Sequence, residues 1–253
     1  MRLNMGGIIC GALLLVCAVA NAWADEIMVA AAANLQFTLE EIKAAFEKET
    51  GINVKTIFGS SGKLTTQIEN GAPFDVFMSA DMDYPKRLYK DGIALDEPKV
   101  YAYGVLVLWT LKDVDLSKGV AGLADKSFGK IAIASPQAAP YGRQAVNAMK
   151  YFHLYPSTAS NLVYGESISQ VNQFITAQAA DIGFTAKSVV LASNMKDKGK
   201  WVEVDPKSYE PIAQAAIVLK RAKHNEQDTR RFYDFLFSPE AQEIFKKYGY
   251  TLP

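Results

Sequence analysis

The chain has 253 residues, of which 49% are apolar and 21% charged, and its 27 basic side chains balance 27 acidic ones. Such a composition is typical of a globular protein with a buried core and argues against a disordered chain. Because the net charge is zero, no broad field attracts nucleic acid or an acidic membrane, and neither is an expected partner. Any anion that this protein binds must be held by local geometry.

Residues 1–24 have the pattern of a cleaved secretory signal peptide. Arg2 supplies the short positive region, residues 8–20 are apolar and uncharged, and Ala22 and Ala24 are the small residues that a signal peptidase reads. We expect cleavage between Ala24 and Asp25. The apolar run is too short for a good membrane span.

The two cysteines of the chain, Cys10 and Cys17, lie in this signal. The mature chain is therefore expected to form no disulfide, thiolate nucleophile or thiolate metal site. A lipid anchor on Cys17 is the alternative, although Val16 stands where such signals carry Gly or Ala. Loss of Arg2 leaves 26 bases against 27 acids, a net charge of −1.

The first half of the mature chain alternates predicted strands and helices. Leu39, Ile42 and Phe46 recur at helical spacing, and Gly51 follows where that helix ends. The order βαβαβ predicts a parallel sheet with helices on both faces. The predicted strands are 26–33, 52–58 and 74–78, and the helices are 38–50 and 63–70.

A second α/β half repeats this alternation, with two long apolar strands, 101–110 and 212–220, leading into it and out of it. Its strands are predicted at 130–134, 161–164 and 181–185, with helices at 142–152, 167–177 and from about 187. The tail, 228–248, reads as two helices divided at Ser238-Pro239, since proline suits a helix start. We therefore expect two lobes joined by two crossing strands. Residues 25–106 and 217–253 form the first lobe, and residues 107–216 form the second.

Five strand-to-helix junctions are the places to seek a ligand. Ligands of open parallel sheets bind beyond the carboxyl ends of the strands. Each helix start there offers unpaired N–H groups and a partial positive charge, which together bind anions without Lys or Arg. The junctions are 32–35, 58–63, 135–142, 165–168 and 184–187.

The side chains at these junctions leave more than one interpretation open. Asn34 fits a helix cap alone or a cap that also contacts a ligand. Ser60 and Ser61 lie between two glycines, which favours an anion-binding nest over a simple serine-capped turn. Tyr141 fits either a packing residue or a ligand contact. Lys187 is expected to be a solvated surface lysine.

Patterns of enzymes and metal sites are missing from the sequence. His153 and His224 have no neighbouring ligands at metal-binding spacing, and no G-x-S-x-G or G-x-G-x-x-G motif occurs. Gly62-Lys63 lacks the Ser or Thr that follows the lysine of a phosphate loop. Asp75 and Asp81 are a pair of acids, which alone is weak evidence for a hydrolase. We expect no enzymatic activity, no catalytic residues and no cofactor.

Three stretches resemble the periplasmic molybdate-binding proteins of ABC importers, and the resemblance extends over essentially the whole mature chain. They are AAAANL at 30–35, FGSSGKLTTQIENGAPFDVFMSAD at 58–81 and SPEAQEIFKKYGYTL at 238–252. The resemblance implies a two-lobed periplasmic-binding-protein fold, with two parallel-rich sheets flanked by helices. It also implies a periplasmic monomer that delivers molybdate or tungstate to an ABC permease.

The resemblance further implies which residues hold the oxyanion. The family uses Ser or Asn after the first strand, Ser at the second junction, and backbone N–H groups at the third and fourth. Some members add a tyrosine hydroxyl at the fifth junction, where this chain has Ala186, so the hypothesis is that the Tyr141 hydroxyl replaces it. The implied contacts are Asn34, Ser61, Tyr141 and Ile168, with Ala33, Ser60 and Ala186 as additional candidates.

The expected ligand follows from a site built of donors. Such a site disfavours monohydrogen phosphate, whose proton needs an acceptor, and donors spaced for molybdate leave the smaller sulfate short of hydrogen bonds. The metal is expected to enter only within its oxyanion, without direct protein ligands. The alternatives are a binding protein for sulfate, phosphate or an organic acid, with Arg143 as the candidate carboxylate contact, or a secreted hydrolase.

Overall fold

The structure is a computed structural model that describes residues 26–125 and 128–253, apart from the side chains of residues 223 and 224. The predicted signal peptide, its cleavage site and both cysteines lie outside these residues, as does the side chain of His224. Within the described part of the chain, no helix is both long and apolar enough to cross a membrane.

The strands and helices follow the predicted order. The strands are β1 (Ile27–Ala32), β2 (Val54–Gly59), β3 (Val76–Ser79), β4 (Lys99–Gly104), β5 (Leu106–Thr110), β6 (Ile131–Ala134), β7 (Leu162–Gly165), β8 (Ile182–Ala186), β9 (Lys200–Glu203) and β10 (Ile212–Val218). The α-helices are α1 (Gln36–Thr50), α2 (Ser61–Glu69), α3 (Asp83–Lys90), α4 (Pro140–Tyr151), α5 (Tyr155–Thr158), α6 (Ile168–Thr176), α7 (Lys187–Val190), α8 (Glu226–Phe235) and α9 (Pro239–Lys247). Short 3₁₀ helices cover Ala33–Leu35, Gly119–Ala124, Ala159–Asn161, Pro206–Ser208 and Lys220–Asn225.

Two five-stranded sheets have the same plan. The first has the order β2-β1-β3-β10-β4 and the second has the order β7-β6-β8-β5-β9. In each sheet the first three strands pair in parallel, and the last two join by antiparallel pairing. The predicted class of two parallel-rich sheets flanked by helices is confirmed.

The first sheet is covered on both faces because its strand residues alternate between two apolar clusters. Ala30 and Phe77 pack towards α2 and α3, with Leu64 and Leu88. The opposite cluster contains the core residues of α1, α8 and α9, including Leu39, Phe46, Phe232 and Phe245. The ring of Phe46 meets that of Phe232 edge-on, 5.2 Å between centroids. The tail therefore packs on the first sheet, as its sequence predicts.

The prediction of one strand over 101–110 is wrong. β4 ends at Gly104 in the first sheet, and β5 begins at Leu106 in the second, so the chain changes sheets at Val105. On the return path, β10 pairs with β3 and β4 from Ile212 onwards, whereas the predicted lobe boundary falls at 217. Helices α3 and α5 and strand β9 were not predicted.

Glycine marks the end of α1 for a conformational reason. Gly51 has φ 71°, a left-handed conformation that is unfavourable in energy for residues with a Cβ atom. Its N–H donates to the carbonyl of Glu47. The chain is thereby turned from α1 towards β2. This helix end matches the prediction from the sequence.

Candidate anion-binding site between the lobes

A small cavity lies where the carboxyl ends of strands from both sheets meet. It contains six of the seven residues singled out in the sequence. Ala186 does not line it; this buried residue ends β8 and pairs with Leu106. The lining residues are Ala32, Ala33, Asn34, Gly59, Ser60, Ser61, Ala80, Ala139, Pro140, Tyr141 and Ile168.

Helix starts from both lobes converge on this cavity. Helices α2 and α6 begin at Ser61 and Ile168, and Tyr141 is the second residue of α4. The 3₁₀ helix Ala33–Leu35 opens the path into α1. Backbone N–H groups at such starts have no acceptor within their own helix and carry a partial positive charge. The cavity is therefore surrounded by groups that stabilise an anion.

Ser60 presents an unpaired hydroxyl in the cavity. Although it occupies the cap position of α2, its side chain makes no capping hydrogen bond. Its Oγ is buried and has no hydrogen-bond partner among the described residues. An unmade hydrogen bond of a buried hydroxyl costs about 1–3 kcal/mol, so a ligand that accepts from this group recovers free energy.

Ser61 is held differently from its neighbour. Its Oγ accepts a hydrogen bond of 3.0 Å from the backbone N–H of Ala80, at the end of the adjacent β3. This contact fixes the oxygen and leaves the hydroxyl hydrogen available to donate. Of the two serines, Ser61 was the predicted contact and Ser60 the additional one. The structure brings both to the cavity.

Asn34 is buried, and its side chain caps no helix. The amide nitrogen donates to Oε1 of Gln214 at 2.8 Å and to the Tyr250 hydroxyl at 3.0 Å. These bonds use both amide hydrogens. The backbone N–H, at the start of the 3₁₀ helix, is the donor that Asn34 retains for a ligand.

Tyr141 is buried, and its hydroxyl oxygen accepts a hydrogen bond of 3.2 Å from Nε2 of Gln214. Burial raises the pKa of Tyr141 well above its ordinary value, and Tyr250 and Tyr101 reinforce that shift. The phenol is therefore neutral and able to donate. Gln214 was missed from the sequence, although a polar residue within the apolar strand IAQAAIV was a usable signal.

Among the described residues that line the cavity, none carries a formal charge at neutral pH. A charged pair, Arg143 with Asp81, lines a larger open cleft, which shares Ala80 and Pro140 with the cavity. Burial raises the pKa of Asp81, and the guanidinium of Arg143 opposes that shift. Arg143 is thus already paired with a carboxylate, and Lys187 is paired with Glu203.

The lobes are closed around the cavity. The backbone N–H of Gly62 donates to the carbonyl of Ala138 at 2.9 Å, from the first lobe to the second. Ser188 of α7 donates to the carbonyl of Asn34 at 2.8 Å, and Lys63 pairs with Glu166 at 2.7 Å. These contacts join both sides of the cleft.

The acids considered for a hydrolase do not share one site. Buried Asp75 accepts a 2.8 Å hydrogen bond from the N–H of Met28 within the first sheet and lines neither cavity, whereas Asp81 lies in the larger cleft. His153 has φ 58° in the turn after α4. Among the described residues, no three His, Cys, Asp or Glu side chains are placed to hold a metal ion together.

Comparison with known proteins agrees with this architecture. The family model described as bacterial extracellular solute-binding protein matches residues 27–251. The molybdate-binding protein ModA of Azotobacter vinelandii is 40% identical over 243 residues, which cover 96% of this chain and 95% of that protein. ModA of Rhodobacter capsulatus is 40% identical over 230 residues, covering 90% of this chain and 89% of the relative.

A solved structure extends the similarity to three dimensions. The periplasmic molybdate-binding protein of Azotobacter vinelandii superposes with a TM-score of 0.84 at 34% identity, covering 90% of this chain and 99% of that one. The matched family consists of solute-binding proteins rather than enzymes. The chain therefore belongs to the bacterial extracellular solute-binding proteins, as the resemblance of its motifs to molybdate-binding members predicted.

Proposed function

We propose that this protein captures molybdate, and also tungstate, in the cavity between its lobes and delivers the anion to the permease of an ABC importer. The observation that carries the proposal is the buried, unpaired hydroxyl of Ser60 in an uncharged cavity ringed by helix starts. The ModA relatives, which are named for molybdate binding, support this choice of anion.

The donors suit a fully deprotonated, doubly charged oxyanion. The hydroxyls of Ser60, Ser61 and Tyr141 and the backbone N–H groups of Asn34 and Ile168 offer charge-assisted hydrogen bonds. Burying a dianion is costly unless its oxygens are hydrogen-bonded, and several such donors meet that condition. Molybdate and tungstate have nearly the same size and charge, so this set of donors holds both.

The proposal includes a location outside the cytoplasm and a role without catalysis. Residues 1–24 act as a signal that is cleaved after Ala24, and the mature protein works in the periplasm as a monomer without a cofactor. Membership of an extracellular solute-binding family supports export. The ion pair of Arg143 with Asp81 disfavours an organic acid, because the guanidinium already has its carboxylate.

Thermal unfolding of the mature protein with molybdate, tungstate, sulfate or phosphate tests the proposal. A ligand at a thousandfold excess over its dissociation constant stabilises the folded state by about 4 kcal/mol. We expect a large rise in melting temperature with molybdate and tungstate and none with the other two anions. A rise with sulfate or phosphate instead would show that the ligand is a different anion. The absence of a rise with all four anions would overturn the proposal.

A further inference from the structure

Gln214 is the centre of a buried polar network behind the cavity. The side chain is fully buried in β10, next to β4 in the first sheet. Its Oε1 accepts from the amide of Asn34 at 2.8 Å and lies 3.0 Å from the hydroxyl of Tyr101. Its Nε2 donates to the hydroxyl of Tyr141 at 3.2 Å. One amide therefore contacts two cavity residues and a third buried side chain.

The direction of these hydrogen bonds determines what Tyr141 offers to a ligand. A tyrosine hydroxyl has one hydrogen and can accept through its oxygen. Since the oxygen accepts from Gln214, the hydrogen is free to point elsewhere, and Tyr141 lines the cavity. We propose that Gln214 is a positioning residue for the oxyanion, which makes the Tyr141 hydroxyl a donor to the bound anion; this inference rests on the proposed function.

The same contact joins the two lobes. Gln214 belongs to the first sheet, whereas Tyr141 belongs to α4 of the second lobe. Gly104, the last residue of β4 before the chain changes sheets, makes room for the contact. A Cβ atom there would lie 2.1 Å from the Tyr141 hydroxyl and 2.5 Å from Nε2 of Gln214. The bond between Gln214 and Tyr141 therefore forms at the crossing point of the lobes, and closure completes the donor set.

A double-mutant cycle on molybdate binding tests the role of Gln214. Gln214→Met keeps the length of the side chain and removes its hydrogen bonds, and Tyr141→Phe removes the hydroxyl. We expect each single variant to bind molybdate about tenfold more weakly than the wild type. The affinity of the double variant should lie within about twofold of that of Tyr141→Phe, because coupled residues lose one shared interaction. Independent losses that multiply to about a hundredfold overturn the inference.

A second variant tests whether molybdate affinity depends on pH, which a purely structural role of Gln214 would not cause. Gln214→Glu is isosteric, but when ionised it only accepts, so Tyr141 must donate to it instead of to the anion. Burial raises the pKa of such a carboxyl, so we expect affinity to fall about tenfold or more as pH rises from about 6 to 9. The titratable neighbours of this network are Tyr101, Tyr141, Tyr209 and Tyr250, whose pKa values are all raised, so they stay neutral over that range. The carboxylate of Asp81 adds to the raised pKa of Tyr101.

Controls separate the inference from the proposed function. Gln173→Glu, on the exposed face of α6, adds the same charge away from the cavity and should leave affinity flat with pH. Unfolding without ligand checks that each variant is folded. A wild-type protein that does not bind molybdate overturns the proposed function and this inference together. Wild-type binding with a pH-independent Gln214→Glu variant overturns the inference alone.

Discussion

Ser60 and Ser61 are adjacent in the chain, yet the fold gives them different tasks. Ser61 accepts a hydrogen bond from the backbone N–H of Ala80, just after β3, whereas Ser60 keeps an unpaired hydroxyl in the cavity. The fixed oxygen of Ser61 orients its hydroxyl hydrogen. The unpaired hydroxyl of Ser60 gains the most free energy from a hydrogen bond to a ligand. At the scale of the residue, affinity is therefore expected to depend on both hydroxyls and most directly on Ser60.

Replacing Ser60 with alanine tests this expectation. We expect Ser60→Ala to weaken molybdate binding about tenfold to a hundredfold, since a hydrogen bond to a charged group contributes roughly 1.5–3 kcal/mol. The stability of the ligand-free protein should change little, because no protein contact is lost. Titration calorimetry measures the affinity, and exposed Ser160→Ala is the matched control. Unchanged affinity would contradict a ligand contact at Ser60.

The buried tyrosines predict how binding depends on pH. Burial raises the pKa values of Tyr101, Tyr141 and Tyr250 above the ordinary value of 10.0. We therefore expect molybdate affinity to stay constant between about pH 7 and 9. The folded protein holds these protons more tightly than the unfolded chain, so stability should fall as pH rises above about 10. Calorimetry and denaturant melts across pH check both; affinity that changes near pH 8 would reveal a different titrating group.

Helix starts position the donors at the scale of the element. α2, α4 and α6 each begin at the cavity, and the loops before them bring the lobes into contact. Gly62, the second residue of α2, lies so close to the second lobe that a Cβ atom would be 3.0 Å from Cα of Ala138. The same atom would be 2.6 Å from the hydroxyl of Tyr84, which belongs to α3 of its own lobe. A small residue here is a condition for closure.

A methyl group at this position should keep the lobes apart. We expect Gly62→Ala to weaken molybdate binding at least tenfold, mainly through faster dissociation, while the unfolding temperature without ligand stays close to that of the wild type. Stopped-flow fluorescence measures the rates. Gly122→Ala, whose Cβ would meet its nearest neighbour at an ordinary 3.6 Å, is the control. Equal dissociation rates in both variants would show that the contact at Gly62 is unimportant.

The order of elements was predictable, but some boundaries were not. Local patterns identify the strands and helices that lead to the five junctions, because burial on one face repeats with the period of the element. The run 101–110 reads as one apolar strand, yet it divides at Val105 between two sheets. Burial makes both pieces apolar, so periodicity cannot reveal which sheet each one joins.

Closure is the event expected at the scale of the whole molecule. The Lys63–Glu166 ion pair and the hydrogen bond from Gly62 to Ala138 both run from the start of α2 to the second lobe and hold a closed form. We expect small-angle scattering to show a smaller radius of gyration when molybdate is added to the ligand-free protein, and no such change for Gly62→Ala. Identical scattering with and without molybdate in a wild type that binds the anion would contradict a closing hinge.

The sequence by itself determined the family, the two α/β halves and the junctions where six cavity-lining residues lie, since these depend on local patterns and on motifs of adjacent residues. Only the tertiary structure decided that Ser60 stays unpaired, that the amide of Asn34 turns away to Gln214, and that Ala186 lies outside the cavity. Asn34 and Gln214 are 180 positions apart. The physical reason is that hydrogen-bond partners are chosen by proximity in the packed core, which no local periodicity encodes.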